Sequence, residues 1–162
     1  MSRHESLRQS TARGYFGIGI ENTKTGANVG TLWRSAYLFG ASFIFTIGHR
    51  YRFQSSDTVK AWRSIPLFPY ESFDDFHASI PRDCRVVGVE LTPDAKPLEQ
   101  FCHPERVIYL LGAEDNGLTK EALEYCRTSG GIVILPGDFS MNVAAAGSIV
   151  MYDRYAKGRA TA

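Results

Sequence analysis

An α/β fold built on a mostly parallel sheet, with helices on both faces, is what the amino-acid sequence predicts, and three observations predict it. Short apolar runs such as Tyr15–Ile20, Val107–Leu111 and Ile132–Leu135 lack polar alternation, which suits strands covered on both faces of a parallel sheet. Segments with helical character fall between such runs, so strands and helices alternate along the chain. Glycine, proline or a capping residue punctuates the junctions, as at Gly40, Pro136–Gly137 and Thr119.

The 162 residues are one domain's worth, long enough to bury a core, and 44% hydrophobic with 22% charged residues is the balance of a globular protein. Residues 1–13, polar and carrying Arg3, His4, Arg8 and Arg13, are expected to form a flexible arm, and residues 14–162 a single domain. There is no apolar run of about 18 residues, and the start lacks the apolar core of a signal peptide, so the expected compartment is the cytoplasm, with no membrane partner. Cys84, Cys102 and Cys126 are odd in number and form no C-x-x-C; His4, His49, His77 and His103 share no ligand spacing. Neither a disulfide framework nor a metal site is therefore expected. A net charge of +1 neither requires nor forbids a nucleic-acid partner.

Taken in order, Tyr15–Ile20 is the first predicted strand. Gly17 and Gly19 hint at a dinucleotide fingerprint, but Asn22 stands where its third glycine belongs, and no P-loop pattern occurs. Val29, Leu32, Trp33, Ala36 and Tyr37 follow helical spacing, giving an amphipathic helix from Asn28 to a stop at Gly40. Asn28 at its mouth is placed to cap it or to bind an anion. Arg34 lies one turn beyond Gly30, whose missing side chain leaves room for the guanidinium; read alone, it is equally an ordinary surface arginine. Ser42–Ile47 is a second strand. The following His49–Gln54 stretch interleaves basic and aromatic residues, a composition that suits either single-stranded RNA or a surface loop. A short helix at Asp57–Arg63, a strand at Ile65–Tyr70, a helix over Ser72–Ser79 capped by Ser72, and a strand at Arg85–Leu91 with Glu90 near its end come next, then a loop over Thr92–Pro97.

Val107–Leu111 runs straight into Gly112–Leu118, after which Thr119 caps a helix to about Tyr125. Glu114, between two glycines at a strand's carboxyl end, is placed to meet a cation, although Asp, Asn and Gly also favour tight turns for their own sake. The strand Ile132–Leu135 stops at Pro136–Gly137, and Ser140 is the expected N-cap of a last helix rich in small residues. A helix mouth at the end of a buried strand is where open α/β sheets bind ligands. Ser140 lies in no G-x-S-x-G, and the adjacent Glu114 and Asp115 make a weak acid/base pair, so hydrolase readings have little support.

Three separated segments carry more together than apart. Asn28-x-Gly30-x-x-x-Arg34, Leu111-Gly112-x-Glu114-x-x-Gly117-Leu118, and Ile134-Leu135-Pro136 followed by Ser140-Met141-Asn142-Val143 resemble the three ordered motifs of the SpoU-type (TrmH-like) RNA ribose methyltransferases of the SPOUT superfamily. The resemblance covers all but the first dozen residues. It implies an α/β fold with a C-terminal trefoil knot, a homodimer, S-adenosylmethionine as methyl donor, and transfer to a ribose 2′-hydroxyl of RNA, with tRNA favoured over rRNA by size alone. Carried over by position, Val89, Glu90, Gly112, Gly117, Ile134, Leu135, Ser140, Asn142 and Val143 would hold the cofactor. Asn28, Arg34, Glu114, Ser140 and Asn142 would surround the reacting group, with Glu114 orienting Arg34. Two departures touch the cofactor fit: the Gly137–Phe139 loop is short for the family, and Ala144 stands where a hydroxyl residue often follows. The competing readings are a non-catalytic RNA-binding or assembly protein on the same fold, and a knotted enzyme that methylates a base nitrogen.

Overall fold

The computed structural model describes residues 14–49, 61–138 and 140–160. The expected arm at 1–13, most of the basic and aromatic stretch at 49–54, and residues 57–60 of the expected short helix lie outside them. Seven strands form one sheet: β1 (Tyr15–Glu21), β2 (Phe43–Ile47), β3 (Leu67–Tyr70), β4 (Arg85–Val89), β5 (Lys96–Pro97), β6 (Arg106–Gly112) and β7 (Ile132–Ile134). Their order is β3-β2-β1-β6-β4-β7-β5, and each pairing is parallel. Among the described residues four α-helices accompany them: α1 (Gly26–Phe39), α2 (Phe73–Ala78), α3 (Lys120–Ser129) and α4 (Val143–Ala160).

Both faces of the sheet are covered, which is why the central strands can be apolar throughout. On one face α1 and α4 bury Leu32, Trp33, Val143 and Met151 against Ile18, Tyr109 and Leu111. On the other, α2 and α3 contribute Phe76, Ala122 and Cys126 against Phe45, Ile108 and Leu110. The rings of Phe45 and Phe76 stack there at 4.7 Å. The glycines of β1 serve this packing and not a dinucleotide. A Cβ on Gly17 would sit 2.3 Å from the Phe43 ring, and one on Gly19 2.4 Å from the Phe45 carbonyl oxygen. Where α1 crosses α4 the approach is similarly close, since a Cβ on Gly147 would lie 2.5 Å from Leu32.

Several expected boundaries move. α1 begins at Gly26, so Asn28 lies inside its first turn, and the N-cap position is Thr25, whose side chain makes no capping bond. α3 runs on to Ser129 and ends at Gly130, with Thr119 Oγ1 accepting from Ala122 N as expected. The 92–97 loop holds a short strand, Lys96–Pro97, paired to β7. Only Ala61–Arg63 of the short helix is described, as a 3₁₀ turn. The cap of α4 is Asn142 and not Ser140: Asn142 Oδ1 accepts from Ala144 N (3.0 Å) and Ala145 N (3.1 Å). Ser140 lies too far before Val143 to reach those amides, whereas Asn142 immediately precedes the helix, where a capping side chain belongs.

The carboxyl-terminal half of α4 is anchored by a polar cluster. Asp153 Oδ2 accepts from Lys157 Nζ (2.6 Å) and from His103 Nε2 (2.8 Å), while His103 Nδ1 meets the Tyr109 hydroxyl at 2.5 Å. Burial pushes the Tyr109 hydroxyl up to about 12, so it keeps its proton and donates to His103. Lys157 also donates to the carbonyls of Leu98 and Phe101, and Arg154 to those of Pro104 and Glu105, tying α4 to the connection between β5 and β6.

Candidate active site

The carboxyl ends of β4, β6 and β7 open into a cleft of about 690 Å³, solvent at its mouth included. Val89, Leu111, Ile134, Val143 and Ala146 give it an apolar floor. Glu90, Glu114 and Ser140 supply polar groups at its walls. Gly112 and Gly117 bring the backbone of the segment after β6 to its edge. Of the residues expected to hold a cofactor, Val89, Glu90, Gly112, Gly117, Ile134, Leu135, Ser140 and Val143 line this cleft, and Asn142 stands beside it as the cap of α4. Leu91, Pro136, Gly137 and Met141 also line it; Pro136 and Met141 belong to the third motif and Gly137 to the short loop inside it, whereas nothing in the sequence marked Leu91.

At the mouth, three segments meet on one side chain. Asn142 Nδ2 donates to Glu114 Oε1 (2.7 Å) and to Asn28 Oδ1 (3.0 Å), and Asn28 Nδ2 reaches the same Glu114 oxygen at 3.5 Å. Asn142 can do this because its carbonyl oxygen is held by the start of α4, which aims the amide outward. Asn28 is delivered by the first turn of α1, and Glu114 by a tight turn closed where Gly117 N donates to Ala113 O (2.8 Å). A second cross-link joins the same loops at the rim, an exposed ion pair of Lys24 and Asp115.

One expected contact is absent. Among the described residues Arg34 makes no bond to Glu114; Glu114 Oε1 is taken up by the two asparagines instead. Arg34 is exposed on α1, one turn past Gly30, with its guanidinium unpaired among the described residues. The cluster of Asn28, Glu114 and Asn142 is thus assembled, and Arg34 stands beside it on the element that carries Asn28. Glu114 Oε1 accepts both of these amides, and Oε2 has no hydrogen-bond partner among the described residues.

Two carboxylates around an apolar slot suit a cationic ligand with a flat apolar part and disfavour a polyphosphate. Among the described residues no group of three or more His, Cys, Asp or Glu side chains could hold a metal ion, and no helix is long and apolar enough to cross a membrane.

No curated protein matches the sequence significantly. Solved structures do match the fold. The A. aeolicus TrmH/SpoU tRNA modifying enzyme aligns with a TM-score of 0.80 at 15% identity, covering 98% of this chain and 84% of its own. The SpoU methyltransferase AviRb from Streptomyces viridochromogenes aligns at 0.75 and 19% identity, over 91% of this chain and 61% of its own. AviRb has also been solved in complex with the cofactor AdoMet. A third, from work on the 2-OH methylation of C/U34 on tRNA, aligns at 0.74 and 22% identity, over 89% of this chain and 96% of its own. This chain therefore spans about three-fifths of AviRb's length and nearly the whole of the third protein's. The family model described as the SpoU rRNA Methylase family matches residues 16–152, and the chain belongs to that family.

Proposed function

We propose that residues 14–162 act as one S-adenosylmethionine-dependent RNA methyltransferase domain that modifies a ribose 2′-hydroxyl, in tRNA before rRNA, as a homodimer with a knotted carboxyl-terminal segment. The observation that carries this reading is Asn142 bonding both Asn28 and Glu114 at the mouth of the cleft, which unites motif residues 28 to 114 positions apart. The solved relative of nearly the same length, from work on tRNA 2-OH methylation, favours tRNA. The exposed Leu38, Ile149 and Tyr152 on α1 and α4 favour a second copy packed there.

S-adenosylmethionine, when bound, supplies a methyl group on a positively charged sulfur. Val89, Ile134, Leu135 and Val143 would cover its apolar parts, Glu90 and Ser140 would meet its polar ones, and backbone at Gly112 and Gly117 would approach closely because neither carries a side chain. Displacement at a methyl carbon needs alignment more than acid or base strength, so rigid placement of the ribose is the protein's main task. Asn28, Glu114 and Asn142 would hold that ribose. Arg34, permanently charged and a poor base, would grip an adjacent phosphate and stabilise the alkoxide as it develops.

The test is to incubate the protein with labelled S-adenosylmethionine and RNA from cells lacking its gene, then digest the RNA to nucleosides. Label on 2′-O-methylated ribose supports the reading. Label on a base nitrogen would make it the base-modifying alternative, and failure to take up S-adenosylmethionine in calorimetry would leave only an RNA-binding role.

A further inference from the structure

Glu21 ends β1 and is 2% exposed, yet no cation pairs with it among the described residues. Its carboxylate accepts twice from one residue: Thr119 N donates to Oε2 and Thr119 Oγ1 to Oε1, each at 2.8 Å. Glu90, just past β4, takes the preceding amide, with Leu118 N donating to its Oε2 at 2.8 Å and Leu91 N to its Oε1 at 3.0 Å. β1 and β4 are the two strands that flank β6. Two carboxylates from opposite sides therefore grip successive amides of the segment that leaves β6 between them.

That segment has little freedom left. A Cβ on Gly112 would fall 2.2 Å from the Gly117 carbonyl carbon, so the two feet of the turn touch. Gly117 has φ +62° and lies against the Glu90 carboxylate, where a Cβ would come 2.5 Å from Oε2. Glu114 rides on this turn, and its reach to Asn142 follows from where the feet are set. A buried carboxylate is costly unless its oxygens are bonded. An apolar side chain could fill the same space without that cost; what the carboxylate adds is two charge-assisted bonds of fixed direction.

We propose that Glu21 is a positioning residue for methyl transfer: acting through Thr119, and paired with Glu90 on the other side of β6, it fixes the 112–119 segment and so the place of Glu114. This rests on the reading of the cleft as the methyl-transfer site. Glu21→Gln preserves the shape but removes the charge and leaves one amide oxygen, where two carboxylate oxygens accepted, for Thr119's two donors.

Calorimetry with S-adenosylmethionine, and initial rates on total RNA from cells lacking the gene, are measured for the full chain, Glu21→Gln and Thr119→Ala. In Glu21→Gln the expected result is unchanged binding stoichiometry, a several-fold weaker Kd, and kcat per binding site down by about tenfold or more, since a misplacement of about 1 Å can cost ~10². A purely structural role would lower the melting temperature and the stoichiometry, and leave Kd and kcat per site alone. That outcome overturns the proposal. Should Glu21→Gln not fold, Thr119→Ala decides: its position is exposed, and it keeps the backbone donor while losing the hydroxyl. Wild-type Kd and kcat per site in Thr119→Ala would then overturn the clamp. A wild-type chain that takes up no S-adenosylmethionine would instead sink the reading of the cleft, and the clamp with it.

Discussion

Arg34 differs from its neighbours in the site by having no fixed partner among the described residues, whereas Asn28, Glu114 and Asn142 hold one another. A guanidinium without a partner among the described residues, on the helix that carries Asn28, is available to a phosphate, and its planar fork can take two phosphate oxygens at once. Lysine keeps the charge and loses the fork. Arg34→Lys is therefore expected to lower kcat by about 10²-fold, the scale of losing one well-placed transition-state donor. S-adenosylmethionine affinity should stay unchanged, because Arg34 does not line the cleft. Single-turnover rates and calorimetry on the same preparation check both halves. The residue types at this scale were readable from the motif spacing. The partnership of Asn142 with Glu114 was not, because a guanidinium is the more obvious mate for a carboxylate and only the fold sets which donor arrives.

Two segments decide whether those residues meet. The first is the turn between β6 and α3, whose Gly112 has backbone of Gly117 and Leu118 where a side chain would go. Backbone cannot rotate aside as a side chain can. Gly112→Ala should cost about 1–3 kcal/mol of stability by overpacking and abolish measurable S-adenosylmethionine binding, read by thermal melts and calorimetry. The second is α4, which carries Asn142's amide at its start and the His103–Asp153–Lys157 cluster near its end. Burial lowers the His103 pKa from its ordinary 6.5, against the pull of Asp153 in the other direction. The unfolded chain therefore takes up that proton first as pH falls. The stability His103 contributes is complete above about pH 6.5 and is lost as pH drops through the folded value. Melting temperatures of wild type and His103→Gln should differ most near pH 8, and the gap should narrow toward pH 5. A gap independent of pH would show that the imidazole does not titrate with unfolding.

For the whole molecule, α1 and α4 pack on each other and leave an apolar outer surface, with Leu38 52%, Ile149 38% and Tyr152 59% exposed. The second copy proposed above would cover these groups. Light scattering on the intact chain should give twice the monomer mass, and Tyr152→Arg should halve it by placing a charge at the contact. Most of the described strands and helices were legible in the sequence because their causes are local: β-favouring runs, helical spacing, and caps at Ser72 and Thr119 that act within three residues; the two-residue β5, held only by pairing to β7, was not. The three motif segments were legible too, as a family pattern. Element boundaries slipped where a local signal misled, as when Ser140 was the expected cap of α4 and Asn142 proved to be it. Glu21 shows what lay beyond reach, for its partner Thr119 is 98 positions away and nothing around it in the chain distinguishes a buried clamp from an exposed charge at a strand's end. Local chemistry is written in neighbouring residues and can be read from them; which distant groups come to share a pocket depends on strand order, and only the folded sheet, with β6 set between β1 and β4, decided that.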